Sequence, residues 1–146
     1  VTDGYTTRLL KGTAHLLAAE GVGIYDEAAV IADPDTGIFR GSMPTAPERA
    51  LALNAYPVED TDLTVAVTGV QIRMRAGRTA GDVDDLADAV KDVLHNRQHY
   101  DLSTGVHIEV SWRQSQAWIG LDTNGRMELT SNYYFRTVRS GPHLFE

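Results

Sequence analysis

The sequence predicts an α+β domain: one mixed or mostly antiparallel sheet with two helices packed on one face. Three observations carry this expectation. Residues 5–20 and 79–97 each place apolar side chains at helical spacing. Most of the remaining chain alternates apolar and polar residues with the period of a strand. The order is helix, several strands, helix, then a strand meander, which suits a sheet carrying a helical layer.

The first helix takes Asp3 as its predicted N-cap. Tyr5, Leu9, Leu16 and Leu17 line one face, with Leu10 and Ala14 widening the stripe. Gly21 follows as the stop, because the residue after a helix end often adopts a left-handed backbone. Val22 to Tyr25 reads as a short strand-like return, Ala32 to Gly37 as a loop and Ile38 to Gly41 as a short strand. Ala50 to Tyr56 reads as a strand ending at Pro57, and Glu59-Asp60-Thr61-Asp62 as an acidic loop.

Thr64 to Arg75 is the most strand-like stretch. Val65 and Val67 share one parity; Val70, Ile72 and Met74 share the other. The phase slips near Gly69, which predicts a bulge or bend there. Gln71, Arg73 and Arg75 then fall on a polar face.

The second helix opens with Thr79-Ala80-Gly81-Asp82 at capping-box spacing. Val83, Leu86, Ala87, Val90 and Leu94 form its buried stripe. Asp82, Asp84 and Asp85 sit at the positive end of the dipole; His95 and Arg97 sit at the negative end. Val106, Ile108, Val110 and Trp112 then alternate with polar residues, and a further strand runs through Trp118, Ile119 and Leu121. Asp122-Thr123-Asn124-Gly125 is a hairpin signal. Arg126 to Arg139 returns with Met127, Leu129, Tyr133 and Phe135 on one parity.

Composition bounds what such a domain does. At 146 residues and 42% hydrophobic, the chain reads as one domain over residues 1–146 with a core of its own. A net charge of −7 argues against a free-standing nucleic-acid binder and against polybasic membrane attachment. The absence of cysteine excludes disulfides, thiolate metal sites and a cysteine nucleophile. No apolar run approaches the roughly 18 residues of a membrane span, and Val1-Thr2-Asp3-Gly4 shows no signal pattern. The expectation is therefore a protein without membrane association.

No constellation calls for catalysis or a cofactor. Gly21-Val22-Gly23 follows a helix rather than a strand, so the dinucleotide fingerprint fails. His95 and His99 are four residues apart but sit where the helix ends, without a third ligand at diagnostic spacing. The acidic loops lack a calcium-loop pattern. The expected catalytic, cofactor and metal sites are none. The strand-borne arginines carry more information. Arg73, Arg75, Arg113 and Arg126 are the candidate contacts to carboxylates across a subunit interface, with Trp112, Trp118, Tyr133 and Tyr134 nearby. Solubility and edge protection are the competing roles.

Several segments, in order along most of the chain, carry a family resemblance. They are Gly4-Tyr5-Thr6-Thr7-Arg8-Leu9-Leu10, Gly21-Val22-Gly23, and Pro44 to Ala50 leading to Tyr56-Pro57-Val58. Gly69 to Arg75, Asp84-Asp85-Leu86, Asp122 to Arg126 and Ser131-Asn132-Tyr133-Tyr134 complete the set. In this the chain resembles the tail-terminator proteins of long-tailed, non-contractile bacteriophages, also called minor capsid or tail-completion proteins. The resemblance implies a non-enzymatic virion protein without cofactors, its fold a sheet with helices. It implies a hexameric ring of copies of this chain, compatible with a monomer in isolation. That ring would cap the tail tube, end tail polymerisation and form the tail side of the head-tail joint. The implied partners are the tail-tube protein and a head-completion (neck) protein, with DNA passing through the lumen without specific binding. The implied location is the head-proximal end of the virion tail, after assembly in the host cytoplasm. The competing readings are a tube subunit or head-closure protein and, more distantly, a small enzyme.

Overall fold

The computed structural model describes residues 3–146; Val1 and Thr2, part of the segment read for a signal pattern, lie outside them. The order is α1 (Tyr5–Ala19), β1 (Thr36–Arg40), β2 (Arg49–Glu59), β3 (Val65–Ala76), α2 (Ala80–Leu94), β4 (Arg97–Asp101), β5 (His107–Leu121) and β6 (Met127–Val138). The strands form one six-stranded sheet in the order β1-β2-β3-β6-β5-β4. Only β1 and β2 run parallel; the other pairs are antiparallel. The sheet is mixed, as the sequence predicts.

Both helices bury their apolar stripes in one continuous core. Leu9, Ala14 and Leu17 of α1 join Val83, Leu86, Ala87, Val90 and Leu94 of α2. The sheet contributes Leu51, Leu53, Val70, Ile72, Met74, Leu129 and Phe135 to the same cluster. One core shared by both helices puts them on the same face, α1 over β1 and β2, and α2 over β3, β6 and β5. Among the described residues, no helix is long and apolar enough to cross a membrane.

Helix ends follow local chemistry. Gly21, at φ +84°, turns the chain after α1; its N–H bonds Ala18 O and the Val22 N–H bonds Leu17 O, both at 3.0 Å. Thr79 caps α2, and its hydroxyl donates to the Asp82 carboxylate at 2.9 Å. The predicted N-cap of α1 is displaced by one residue: Gly4 occupies it with extended backbone, while Asp3 forms an ion pair with Lys11 at 2.9 Å.

Four further expectations are corrected. The strand-like return at Val22 to Tyr25 reduces to one parallel bridge between Ile24 and Gly37. The second helix stops at Leu94 rather than 97, because its apolar stripe ends there and Asn96 takes a left-handed backbone, φ +58°. The residues beyond it become β4, a short edge strand with little apolar alternation to announce it.

The phase slip at Gly69 is also absent: β3 pairs with β6 in unbroken register from Val65 to Ala76. Thr68, a polar residue, occupies the helix-facing parity there and bonds Tyr5 Oη at 2.8 Å. Gly69 serves packing instead, since a Cβ at that position would collide with the Tyr56 ring. The real irregularities lie in β2 at Pro57/Glu59 and at three points of β5. The bulge between Ile108 and Val110 reverses the expected facing of the residues beyond it. Ser111 turns inward, donating to Leu94 O at 2.7 Å and bonding Tyr100 Oη at 2.6 Å, while Trp112 turns outward beside Tyr134.

Two buried tyrosines offer a controlled comparison. Tyr5 Oη bonds both Thr68 and Thr137, at 2.8 and 2.6 Å, across the bottom of the core. Tyr133 is fully buried, its hydroxyl has no partner among the described residues, and burial pushes its pKa up to about 12. Tyr5→Phe strands two buried hydroxyls and should destabilise by about 1–3 kcal/mol. Tyr133→Phe removes an unpartnered group and should leave stability unchanged or raised. Urea unfolding midpoints at constant m check both.

Candidate assembly surface

Among the described residues, the sheet face opposite the helices has no second layer. One register row crosses four strands on it: Tyr56, Gly69, Tyr134 and Trp112. The Tyr56 ring lies over Gly69 and its hydroxyl donates to Asn132 at 3.0 Å. Trp112 meets Tyr134 edge to face at 5.8 Å, and Arg136 stacks on the Trp112 ring at 5.9 Å. Half-buried aromatic side chains backed by arginine are the composition of protein-binding surfaces. Tyr133, grouped with this set by sequence, faces the helices and is closed to solvent.

The four candidate arginines occupy three different environments. Arg75, read from sequence as exposed, is 3% accessible. Its guanidinium donates to the carbonyls of Thr45, Pro47 and Glu48 at 3.3, 2.6 and 3.0 Å. Arg126 is buried beside it, donating to Thr45 O at 2.6 Å and to Asp122 Oδ2 at 2.9 Å. Together these two pin the segment 42–49 to the sheet. Burial, and then the neighbouring Arg126 cation, pull Arg75 below its usual pKa; it remains a cation. Arg73, one turn of the pleat away, is half exposed and pairs with the buried Glu128 carboxylate at 2.9 Å. Arg113 lies apart on β5, half-buried, 3.3 Å from Gln116 Oε1. The sequence alternation could not separate Arg73 from Arg75, because both share one parity.

A second open surface is the outer edge of β5. The strand β4 pairs with β5 only from His107 to Ser111. His95 Nδ1 accepts the Arg113 N–H at 3.0 Å and closes the end of that pairing. From Gln114 to Leu121 no strand among the described residues covers the edge, and Trp118, Ile119 and Leu121 are 51%, 50% and 63% exposed. At the far edge of the sheet, Ile24 bridges β1 and shields it. The asymmetry matters because unshielded apolar edges are pairing sites.

Stability should sort the arginines. Arg75→Ala orphans three carbonyl contacts in a buried site and should cost about 2 kcal/mol or more. Arg73→Glu leaves the buried Glu128 without its partner and should cost about 1–3 kcal/mol. Arg113→Ala should stay within about 0.5 kcal/mol. Chemical denaturation of the three variants measures this order. Asp122 supplies a pH test. Burial raises its carboxyl, but the Arg126 N–H, the Arg126 guanidinium and the Asn124 N–H outweigh that, so it titrates below the usual carboxylate range. A depressed folded-state pKa contributes stability above the unfolded value and loses it as pH falls through the folded one. Asp122→Asn should therefore flatten the fall of Tm between about pH 5 and pH 2 relative to the parent protein.

Comparison with known proteins agrees with this architecture. The sequence pattern of a family described as bacteriophage tail terminator protein matches residues 16–139. Among solved structures, a chain from the virion of a native gene transfer agent (GTA) particle shares the fold at a TM-score of 0.61. That likeness covers 93% of this chain and 99% of the other, at 18% identity. Comparison with curated proteins gives no match. Because the pattern spans most of the chain, this chain belongs to the bacteriophage tail terminator family.

Proposed function

We propose that this phage tail structural protein is the ring subunit that closes the tail tube. Six copies would form a ring at the head-proximal end of the tail, end tube polymerisation and present the tail to the completed head. The observation that carries this reading is the family match over residues 16–139. The partners on this reading are copies of itself, the tail-tube protein and a head-completion protein. Assembly would take place in the host cytoplasm, and DNA would traverse the lumen without specific binding. The net charge of −7 supports that last point, since a conduit wall that holds phosphates tightly impedes passage. The role is structural, without a catalytic step.

The geometry supports the ring in a second way. A closed ring needs two unlike patches per subunit, one meeting the other on the next copy. The β5 edge from Gln114 to Leu121 and the aromatic outer face are two such patches. On this reading a second copy of the chain covers the β5 edge. Arg73 and Arg113, which keep accessible side chains, bridge to carboxylates on that copy or on the tube. Arg75 and Arg126 contribute by holding the segment 42–49 in place.

Electron microscopy of tails tests the assignment. Loss of the gene should give overlong tails without heads. No tails at all would mean a tube subunit, and tails of normal length left unjoined would mean a head-closure protein. Ile119→Lys, a change at an exposed position, should leave the far-ultraviolet spectrum of the subunit intact and yield tails of variable length. Normal tails joined to heads in the Ile119→Lys mutant would remove the β5 edge from the ring contact while leaving the family role standing.

A further inference from the structure

The strands β4 and β5 form a ribbon whose polar face gathers four ionisable groups. His99 and Asp101 stand on β4; His107 and Glu109 stand on β5, with Asp101 paired to His107 across the ribbon. The His107 ring is held at both ends, Nδ1 at 2.7 Å from Asp101 Oδ1 and Nε2 at 2.8 Å from Glu109 Oε1. His99 Nδ1 lies 3.3 Å from the other oxygen of Glu109. One ligand atom each from His99, His107 and Glu109 falls within 4.8 Å of the others. Local sequence carries no signal for this cluster, because the four residues belong to two strands and the periodicity extends the second helix into one of them.

We propose that His99, His107 and Glu109 bind one divalent transition-metal ion of the zinc class. The donor set is two imidazole nitrogens and a carboxylate, which suits borderline cations such as Zn²⁺ rather than calcium or magnesium. A tetrahedral site with bonds of about 2.0–2.1 Å places its ligand atoms roughly 3.3 Å apart. His107 Nε2 and His99 Nδ1 stand 2.8 and 3.3 Å from the two Glu109 oxygens, and all three ligand atoms lie within 4.8 Å of one another, so binding an ion draws the two rings together over the carboxylate. His99 is 71% exposed, which leaves the fourth position open to water.

Asp101 stands where the carboxylate partner of a metal-ligating histidine belongs, and an incoming ion would take the place of the proton between His107 Nε2 and Glu109. A ligating histidine characteristically gives its second N–H to a carboxylate, which fixes the tautomer and raises the basicity of the ligand nitrogen. Asp101 receives Nδ1 of His107 in that way, which turns Nε2 toward Glu109. Asp101 is thus a positioning residue. The charges also balance, since a dication meets the two carboxylates of Asp101 and Glu109. A neighbouring cation, Arg136, lines the same shallow cleft, but its guanidinium is engaged over the Trp112 ring. A bound ion would clamp the edge strand β4 to β5 beside the open edge. Such a site needs only these residues and is independent of ring formation.

Isothermal titration of the untagged, chelator-stripped protein with zinc chloride tests it. One ion per chain should bind, and saturating zinc should raise Tm. His99→Ala, His107→Ala and Glu109→Gln should each weaken binding more than about tenfold; Asp101→Asn should weaken it by about 10–100-fold. His15→Ala and His143→Ala, remote histidines, should leave it unchanged. All these positions are exposed or half-buried, and circular dichroism checks that each variant is folded. Absence of binding heat and of any Tm rise up to roughly 1 mM zinc would overturn the proposal. So would binding that persists undiminished in the His99→Ala, His107→Ala double variant.

Discussion

Both helices pack on one face of the sheet, and this single constraint governs the rest of the molecule. The helical face solves its burial with an ordinary apolar core. Among the described residues no layer covers the opposite face, and the protein closes it from within. Ala50 and Ala52 keep the β2 surface low, and both are fully enclosed. Arg75 and Arg126 fasten the segment 42–49 by its carbonyls. Glu128 sits buried, neutralised by Arg73. These are charge-assisted hydrogen bonds in a partly desolvated site, stronger than neutral ones and exacting in geometry.

This closure leaves part of the outer surface open. The aromatic row at Tyr56, Tyr134 and Trp112 sits beyond the reach of the 42–49 segment, and the sheet continues past β4 as a bare edge. Natural β proteins usually shorten, charge or cover such edges. Here β1 is shielded by Ile24, while β5 presents Trp118, Ile119 and Leu121 to solvent. One edge of the sheet is thus protected, and the other is a site where another chain can pair.

The polar residues of the β4–β5 ribbon follow the same economy. An edge strand with a polar outer face has little apolar area to hold it. Cross-strand ion pairs and the Tyr100–Ser111 hydrogen bond take over that role at β4. Tyr100 packs against the core, and this burial pushes its hydroxyl up to about 12, while Gln98, His99 and Asp101 face water.

Local periodicity by itself determined both helices, the 122–125 hairpin, the strands that became β3 and β6, and hence the α+β class. Apolar stripes such as Val83-Leu86-Ala87-Val90-Leu94 and runs such as Val70-Ile72-Met74 encode the element and its buried side within a few residues. The ordered segments from Gly4 to Tyr134 also carried the family resemblance. Only the tertiary structure decided what lies on the other side. Arg73 and Arg75 share a parity, yet one meets solvent and the other is sealed by a segment some 30 residues earlier in the chain. Ser111 is buried because a bulge just upstream reversed its facing. Asp101, His99, His107 and Glu109 meet because two strands pair, one of them too short and polar to announce itself. The physical reason is common to all three. Alternation gives the direction of a side chain only while the pleat is regular, whereas bulges, exposure and partnership depend on how the strands pair and on which backbone comes to rest against them.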